Sequence, residues 1–250
     1  MISGVDERVS TFFPELAGKD DIRLKHFLSM TAGLAWNEDQ LPYTDPNNDC
    51  IRMNQTNDPI AYAMGREVVA APGSEFVYNS GLSIALGEII HRISGWPVDK
   101  FAERNLFHPL GITNYTWWAF PNGIVHTGGG LYLRPRDMAK IGCMVLNNGR
   151  WQGKQIVSES WIKESIKKQA PDPGPRQGYG YQWWHFPFKV GDQWITAIQA
   201  AGNGNQTILI FPRLDLIVVT TAWDTEKALH FIRLMSQNIL PAALAGGSGN

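Results

Sequence analysis

Cysteine is scarce: the 250 residues hold two, Cys50 and Cys143. Two thiols cannot staple a small scaffold, so the fold must rest on buried apolar surface. Cys143 falls in an apolar helical pattern and reads as a small core residue. Neither sign of charge is in excess, since 22 basic and 23 acidic residues leave a net charge of -1. That balance offers no basic stripe, so neither nucleic acid nor an anionic membrane surface is an expected partner. No apolar run is long enough to cross a bilayer, and no charged-then-apolar signal segment opens the chain, so the compartment stays unknown. The six histidines show no His-Glu-x-x-His spacing, so no metal site and no cofactor is expected. There is no Gly-x-Ser-x-Gly elbow and no internal repeat.

What is present is a globular composition, 44% hydrophobic and 18% charged, enough for one or two lobes. Leu24, Phe27 and Leu28 mark a short amphipathic segment over Arg23–Met30. Ala35–Asn57 is rich in Asn, Asp and Pro and predicts a long loop. Leu82, Ala85, Leu86, Ile89, Ile90 and Ile93 recur at helical spacing, with Asn79 or Ser80 as cap and Gly95 as stop. A short helix is expected after Pro97, and an aromatic loop over Ile112–Asn122. Helices are expected again over Arg136–Leu146, with Pro135 at its start, and over Trp161–Lys168. From Tyr179 the period changes to that of strands: Tyr179–Phe186, Trp194–Ala200, Thr207–Phe211 and Leu216–Thr221. Ala228–Ile239 closes the chain as a helix capped by Asp224 or Thr225, and residues 246–250 read as a flexible tail. Helices first and consecutive strands after predict an α+β protein.

The stretch Pro72-Gly73-Ser74-Glu75-Phe76-Val77-Tyr78-Asn79-Ser80-Gly81 sets a tyrosine between a turn and the start of a helix. Taken alone, such a ring packs and bonds its hydroxyl to backbone, and Ser80 is a helix cap. With its flanks the stretch resembles the second catalytic motif of the β-lactamase-like serine hydrolases, the penicillin-recognising enzymes with their esterase and amidase relatives. Val5–Glu15, Leu24–Leu34, Gly129–Lys140 and Gly202–Gln206 resemble further family segments in the family's order. The resemblance implies an antiparallel sheet of five strands flanked by helices, the β-lactamase/transpeptidase-like fold, with a helical lobe inserted. Residues 1–20 and 126–245 would form the sheet lobe, and residues 21–125 the helical lobe that carries the tyrosine.

The sequence departs from the family in three places. The family's nucleophile lies in Ser-x-x-Lys upstream of the tyrosine, and residues 1–77 contain none. The chain is therefore expected to be truncated, without the first strands and the nucleophile helix. The second motif reads Tyr-x-Ser and not Tyr-x-Asn, and Gly202-Asn203-Gly204 stands for Lys-Thr-Gly. The Tyr-x-Ser form resembles the esterases and the aminohexanoate-oligomer amidases, and both changes point away from β-lactams and imply a small-molecule ester or amide as substrate.

By resemblance, Tyr78 and Ser80 are the catalytic positions, and Asn203, Gly204 and Asn205 supply an oxyanion or substrate contact. Read alone, Gly202–Asn205 is an ordinary turn. His126 and Tyr132 are expected near the cleft. His126-Thr127-Gly128 spells a variant third motif but precedes a helix, and reads as a loop near the site. Ser165-Ile166-Lys167-Lys168 spells Ser-x-x-Lys after the tyrosine, on an expected solvated helix face. A free phenol titrates near pH ~10, so without a neighbouring ammonium Tyr78 is a poor base. Three readings stay open: a hydrolase inactive as this piece, a non-catalytic module that binds acyl compounds, and a fragment completed by a separate N-terminal segment.

Overall fold

The computed structural model describes residues 2–13, 19–171, 178–223 and 228–246. The chain divides into two compact units, residues 1–132 with 169–173 and residues 133–168 with 174–250.

The first unit is helical and is built around α4. The element order leading to it is α1 (Leu24–Leu28), α2 (Asp49–Asn54), α3 (Pro59–Met64) and α4 (Ser80–Ser94), followed by α5 (Val98–Ala102). The helical period of the sequence lies within α4. Asn79 caps it by accepting from the Leu82 N–H, and Gly95, left-handed at φ 71°, ends it. α1, α3 and α5 pack on it, with Phe27, Met64, Leu82, Ile84, Ala85 and Ile89 buried. Residues 2–13 belong to this unit by backbone pairing. The N–H groups of Val9, Leu24 and Lys25 donate to the carbonyls of Ile22, Glu7 and Val5.

Two expected loops hold regular structure. Within 35–57 lies α2, whose cap Asn48 accepts from the N–H groups of Cys50 and Ile51. Asparagine favours turns, but for the same reason it starts helices well. α3 follows at once, with Asp58 as cap and Pro59 in its first turn. Within 112–122 lies β1 (Tyr115–Trp117), paired with β2 (Leu131–Leu133), the strand where the chain passes from the first unit to the second.

The second unit begins with α6 (Pro135–Leu146), the two-residue strands β3 (Arg150–Trp151) and β4 (Lys154–Gln155), and α7 (Glu159–Ser165). Its sheet is antiparallel in the order β5 (Trp184–Val190), β6 (Gln193–Ala201), β7 (Thr207–Phe211) and β8 (Leu216–Thr220). The sheet has four strands among the described residues. β7 is buried at every residue, so both faces are covered. α6 lies on one face. An added Cβ at Gly142 would be 2.9 Å from methyls of Ile208 and Ile217, so glycine allows that approach. On the other face Phe188, Ala197, Leu209 and Phe211 join Met235 and Leu240. Those two come from the closing helical run α8 (Ala228–Leu234), a π turn (Met235–Ile239) and α9 (Leu240–Gly246).

The strand expected from Tyr179 begins only at Trp184, because Gln182 at φ 65° breaks the extended backbone. Tyr179 keeps an isolated bridge to Trp184. The expected caps Asp224 and Thr225 and residues 247–250 of the tail lie outside the described residues. The architecture is α+β, with antiparallel sheet and helices. Among the described residues no helix is long and apolar enough to cross a membrane.

Candidate active site

Tyr78 is half-buried and ends an extended approach to α4. That approach is held on the turn after α1: Gly73 N–H donates to Thr31 O at 2.7 Å and Val77 N–H to Met30 O at 2.9 Å. Gly33 closes the turn at φ 71°, with Ala70 O 2.2 Å from where a Cβ would stand, so only glycine fits. The segment 24–34 thus places the tyrosine.

Ser80 opens α4, buried, and is held by a residue that sequence reasoning passes over. The Glu38 side chain is 1% exposed. Its Oε1 accepts from Ser80 Oγ at 2.6 Å and from the Tyr43 hydroxyl at 2.8 Å. Its Oε2 accepts from Ser80 N at 2.9 Å and from Trp36 Nε1 at 2.8 Å. Four donors on two oxygens satisfy a buried carboxylate, which without them would be costly. Asn48 fixes the loop beneath, donating to the carbonyls of Glu38 and Leu41 at 3.0 and 2.9 Å. Trp36 is held in turn by Arg66, whose guanidinium lies 5.8 Å from its ring centroid and also pairs with Asp49.

Burial and this carboxylate together set the electrostatics around the motif. Burial, then the charge and hydrogen bond of Glu38, push the Tyr43 phenol far above the ordinary tyrosine value, and Tyr78 adds to the same shift. Burial, then the charge of Glu38, push the Cys50 thiol up to about 12. Cys50 is therefore a protonated thiol at neutral pH and a poor nucleophile.

His126 joins the same network from the far side. Its Nε2 lies 3.0 Å from Asn54 Oδ1, and Asn54 Nδ2 reaches Cys50 Sγ at 3.8 Å. An amide oxygen only accepts, so Nε2 carries the proton. Nδ1 is buried without a partner among the described residues. Burial holds the His126 pKa below the usual value, and the ring stacks on Phe120 at a centroid distance of 5.3 Å. The His126-Thr127-Gly128 loop docks on α4 itself. Thr127 Oγ1 donates to Ser83 O at 2.7 Å, and a Cβ at Gly128 would stand 3.1 Å from Ser80 O. Tyr132, 69% exposed, stands on β2 outside this network.

Asn203, Gly204 and Asn205 belong to the second unit, in the turn between β6 and β7. Gly202 N–H donates to Gln206 O at 2.8 Å. Gly204 is buried at φ 91°, and Asn205 is left-handed at φ 69°. Thr220 Oγ1 donates to Asn205 O at 2.9 Å, and Gln206 Nε2 donates to Ala222 O. The result is a closed turn fixed to the end of β8, with the strongly exposed Trp223 beside Gly204.

α7 is the other place where Ser-x-x-Lys occurs. Ser160–Lys163 lies within it, and Ser165–Lys168 runs past its end. Ser165 is not on a solvated face as expected. It is buried, and its hydroxyl donates to Ile162 O at 3.1 Å. Lys163 pairs with Glu159 in solvent. Among the described residues neither serine hydroxyl bonds a lysine amine: Ser160 Oγ donates to Ser158 Oγ at 3.4 Å and Ser165 Oγ to Ile162 O, so neither string forms the nucleophile pair that the motif requires. The structure thus gathers Ser80 and His126 with Glu38, Tyr43, Cys50 and Asn54. Glu38 and Ser80 are 42 residues apart, and only the Trp-Asn-Glu-Asp run within a polar loop marks the carboxylate.

Residues 3–228 match the β-lactamase family model. The chain is 25% identical over 260 residues to the 6-aminohexanoate-dimer hydrolase of Paenarthrobacter ureafaciens, covering 95% of this chain and 64% of that protein. It is 24% identical over 170 residues to the lovastatin esterase of Penicillium rubens, covering 58% of this chain and 41% of that protein. The chain therefore spans less than two thirds of the length of either curated relative. A solved Bacillus anthracis structure assigned as a 6-aminohexanoate-dimer hydrolase has a TM-score of 0.79 at 20% identity, over 99% of this chain and 67% of that one. Both curated relatives are hydrolases by name. With the family model matched over most of its residues, this chain belongs to the β-lactamase family.

Proposed function

We propose that the chain is the larger part of a serine hydrolase that cleaves an ester or an amide through an acyl-enzyme. The attacking hydroxyl adds to the carbonyl carbon and gives up its proton to a base. The leaving alcohol or amine departs with a proton, and water then hydrolyses the ester formed on the enzyme. Tyr78 is assigned to the proton transfer and Ser80 to the hydrogen bonding around it. A backbone N–H near Gly204 or Asn205 is assigned to the developing oxyanion. Residues 1–77 hold no Ser-x-x-Lys, so in this proposal the serine and its lysine come from polypeptide outside the 250 residues.

The observation that carries the reading is the fixed Tyr-x-Ser motif at the start of α4, with Ser80 bound through both N and Oγ to buried Glu38. An ordinary helix start has no need of a buried carboxylate 42 residues away in the chain. Tyr-x-Ser in place of Tyr-x-Asn, and the names of the relatives, an aminohexanoate-dimer hydrolase and an esterase, support esters and amides over β-lactams.

The test is hydrolysis of p-nitrophenyl butyrate by this chain with and without the polypeptide encoded in frame upstream. Turnover only with that polypeptide supports the proposal. Binding of acyl compounds without turnover under either condition replaces it with a non-catalytic module.

A further inference from the structure

The Glu38 site has a polarity that the distances define. A serine hydroxyl has one proton to give and two lone pairs to offer. Ser80 Oγ stands 2.6 Å from Glu38 Oε1, in the range of a charge-assisted O–H···O bond. Cys50 is also within hydrogen-bonding reach of both Ser80 and Glu38, but its thiol is a weak donor and a weak acceptor, and the carboxylate is the stronger acceptor for the Ser80 proton. The Ser80 proton is therefore committed inward. Its two lone pairs remain, and toward any further partner Ser80 can only accept.

We propose that Glu38 is the positioning residue of the Tyr78-Asn79-Ser80 motif: by taking the one proton of Ser80 it turns that hydroxyl into an obligate acceptor, suited to an N–H or O–H donor and best to an ammonium. The inference rests on the hydrolase reading for its role in turnover, and on hydrogen-bond geometry alone for the polarity of Ser80.

The two oxygens of Glu38 make a clean test possible. Oε2 faces the Trp36 indole N–H and the Ser80 backbone N–H, neither of which can accept. Oε1 faces two hydroxyls, which can do either. In Glu38→Gln the amide oxygen must take the Oε2 place, since an amide NH2 there would meet two donors. The NH2 then takes the Oε1 place and donates to Ser80 and Tyr43. Both hydroxyls reverse and point their protons outward. One near-isosteric substitution thus inverts the motif's polarity with little change in packing.

Two measurements decide the matter. The first is neutron diffraction from the deuterated 250-residue chain, which needs no turnover. The Ser80 deuteron is expected on the line to Glu38 Oε1 in the wild type and turned away in Glu38→Gln. A wild-type deuteron pointing elsewhere overturns the proposal, and that map suffices if the variant does not fold. The second is kinetics on p-nitrophenyl butyrate with the upstream polypeptide present, for the wild type, Glu38→Gln, Ser80→Ala and the double variant. Glu38→Gln is expected to lose roughly tenfold or more in kcat with little change in KM, the loss of about one good hydrogen bond. The double variant should be no worse than Ser80→Ala, because Glu38 acts through Ser80. Full activity in Glu38→Gln, or losses that multiply in the double variant, overturns the positioning role. If the wild type itself shows no turnover, the hydrolase reading falls, and the neutron map still decides the polarity of Ser80.

Discussion

Replacing Gly87 by alanine tests whether the His126 loop is fixed by its contact with α4. Glycine inside a helix is ordinarily a weak point, and alanine there gains roughly 0.5–1 kcal/mol. Here the new Cβ would lie 2.5 Å from Thr127 Oγ1, 2.6 Å from its Cγ2 and 3.1 Å from its Cβ. Threonine is branched at Cβ and cannot swing both substituents clear by one rotation. Its hydroxyl is also committed to Ser83 O at 2.7 Å. Overpacking of this kind costs about 1–3 kcal/mol, and the lost hydrogen bond about 1 kcal/mol more. Packing therefore outweighs propensity, with a net loss of about 1–3 kcal/mol. For a chain of this length a 2 kcal/mol loss lowers Tm by about 4–8 °C. Thermal unfolding followed by circular dichroism reads it directly. Adding Thr127→Ala removes both clashing atoms, so the double variant should regain at least ~1 kcal/mol over the sum of the singles. A Gly87→Ala protein as stable as wild type, or more so, would refute the docking of residues 126–128 on α4.

Asn48→Ala removes the cap of α2 and the two bonds that hold the carbonyls of Glu38 and Leu41. A loss of at least about 3 kcal/mol in urea unfolding is expected, since a cap contributes ~1 kcal/mol and each of the two orphaned acceptors costs at least ~1 kcal/mol. Burial lowers the pKa of His26, His126 and His185. The folded state therefore prefers the neutral rings. Their contribution to stability is complete above the unfolded value of ~6.5 and declines as the pH falls below it. His126→Gln, which can still donate to Asn54, should flatten the fall in urea midpoint between about pH 7 and about pH 5.5; an unchanged slope would contradict the burial argument. Gly204→Ala places a side chain on a backbone at φ 91°. A cost of at least about 1 kcal/mol is expected in the unfolding of the second unit.

Legibility followed the range of the interactions. α4 was written in one stretch of sequence by its apolar period, Asn79 and Gly95, and the structure adds two residues at its start and one at its end. β7 and β8 were legible because each is a short apolar run and Pro212 separates them. α2 was not, because a capping asparagine and a turn asparagine look alike without the bonds from Cys50 and Ile51. The start of β5 was hidden for a similar reason: aromatic residues favour strands, but the left-handed Gln182 leaves no mark in composition. At the site, the tyrosine motif could be recognised from its neighbours. The buried carboxylate that serves it could not, because nothing local says that Glu38 and Ser80 meet.

The central claim is that Tyr78 and Ser80 form part of a hydrolytic centre whose nucleophile is carried by other polypeptide. The most direct measurement is covalent labelling by a fluorophosphonate probe, followed by mass spectrometry, of this chain mixed with the upstream in-frame polypeptide. The account predicts a single adduct on a Ser-x-x-Lys serine of that polypeptide, formed only when both are present and slowed strongly by Tyr78→Phe. An adduct on a serine within residues 1–250, or labelling indifferent to Tyr78, would contradict it.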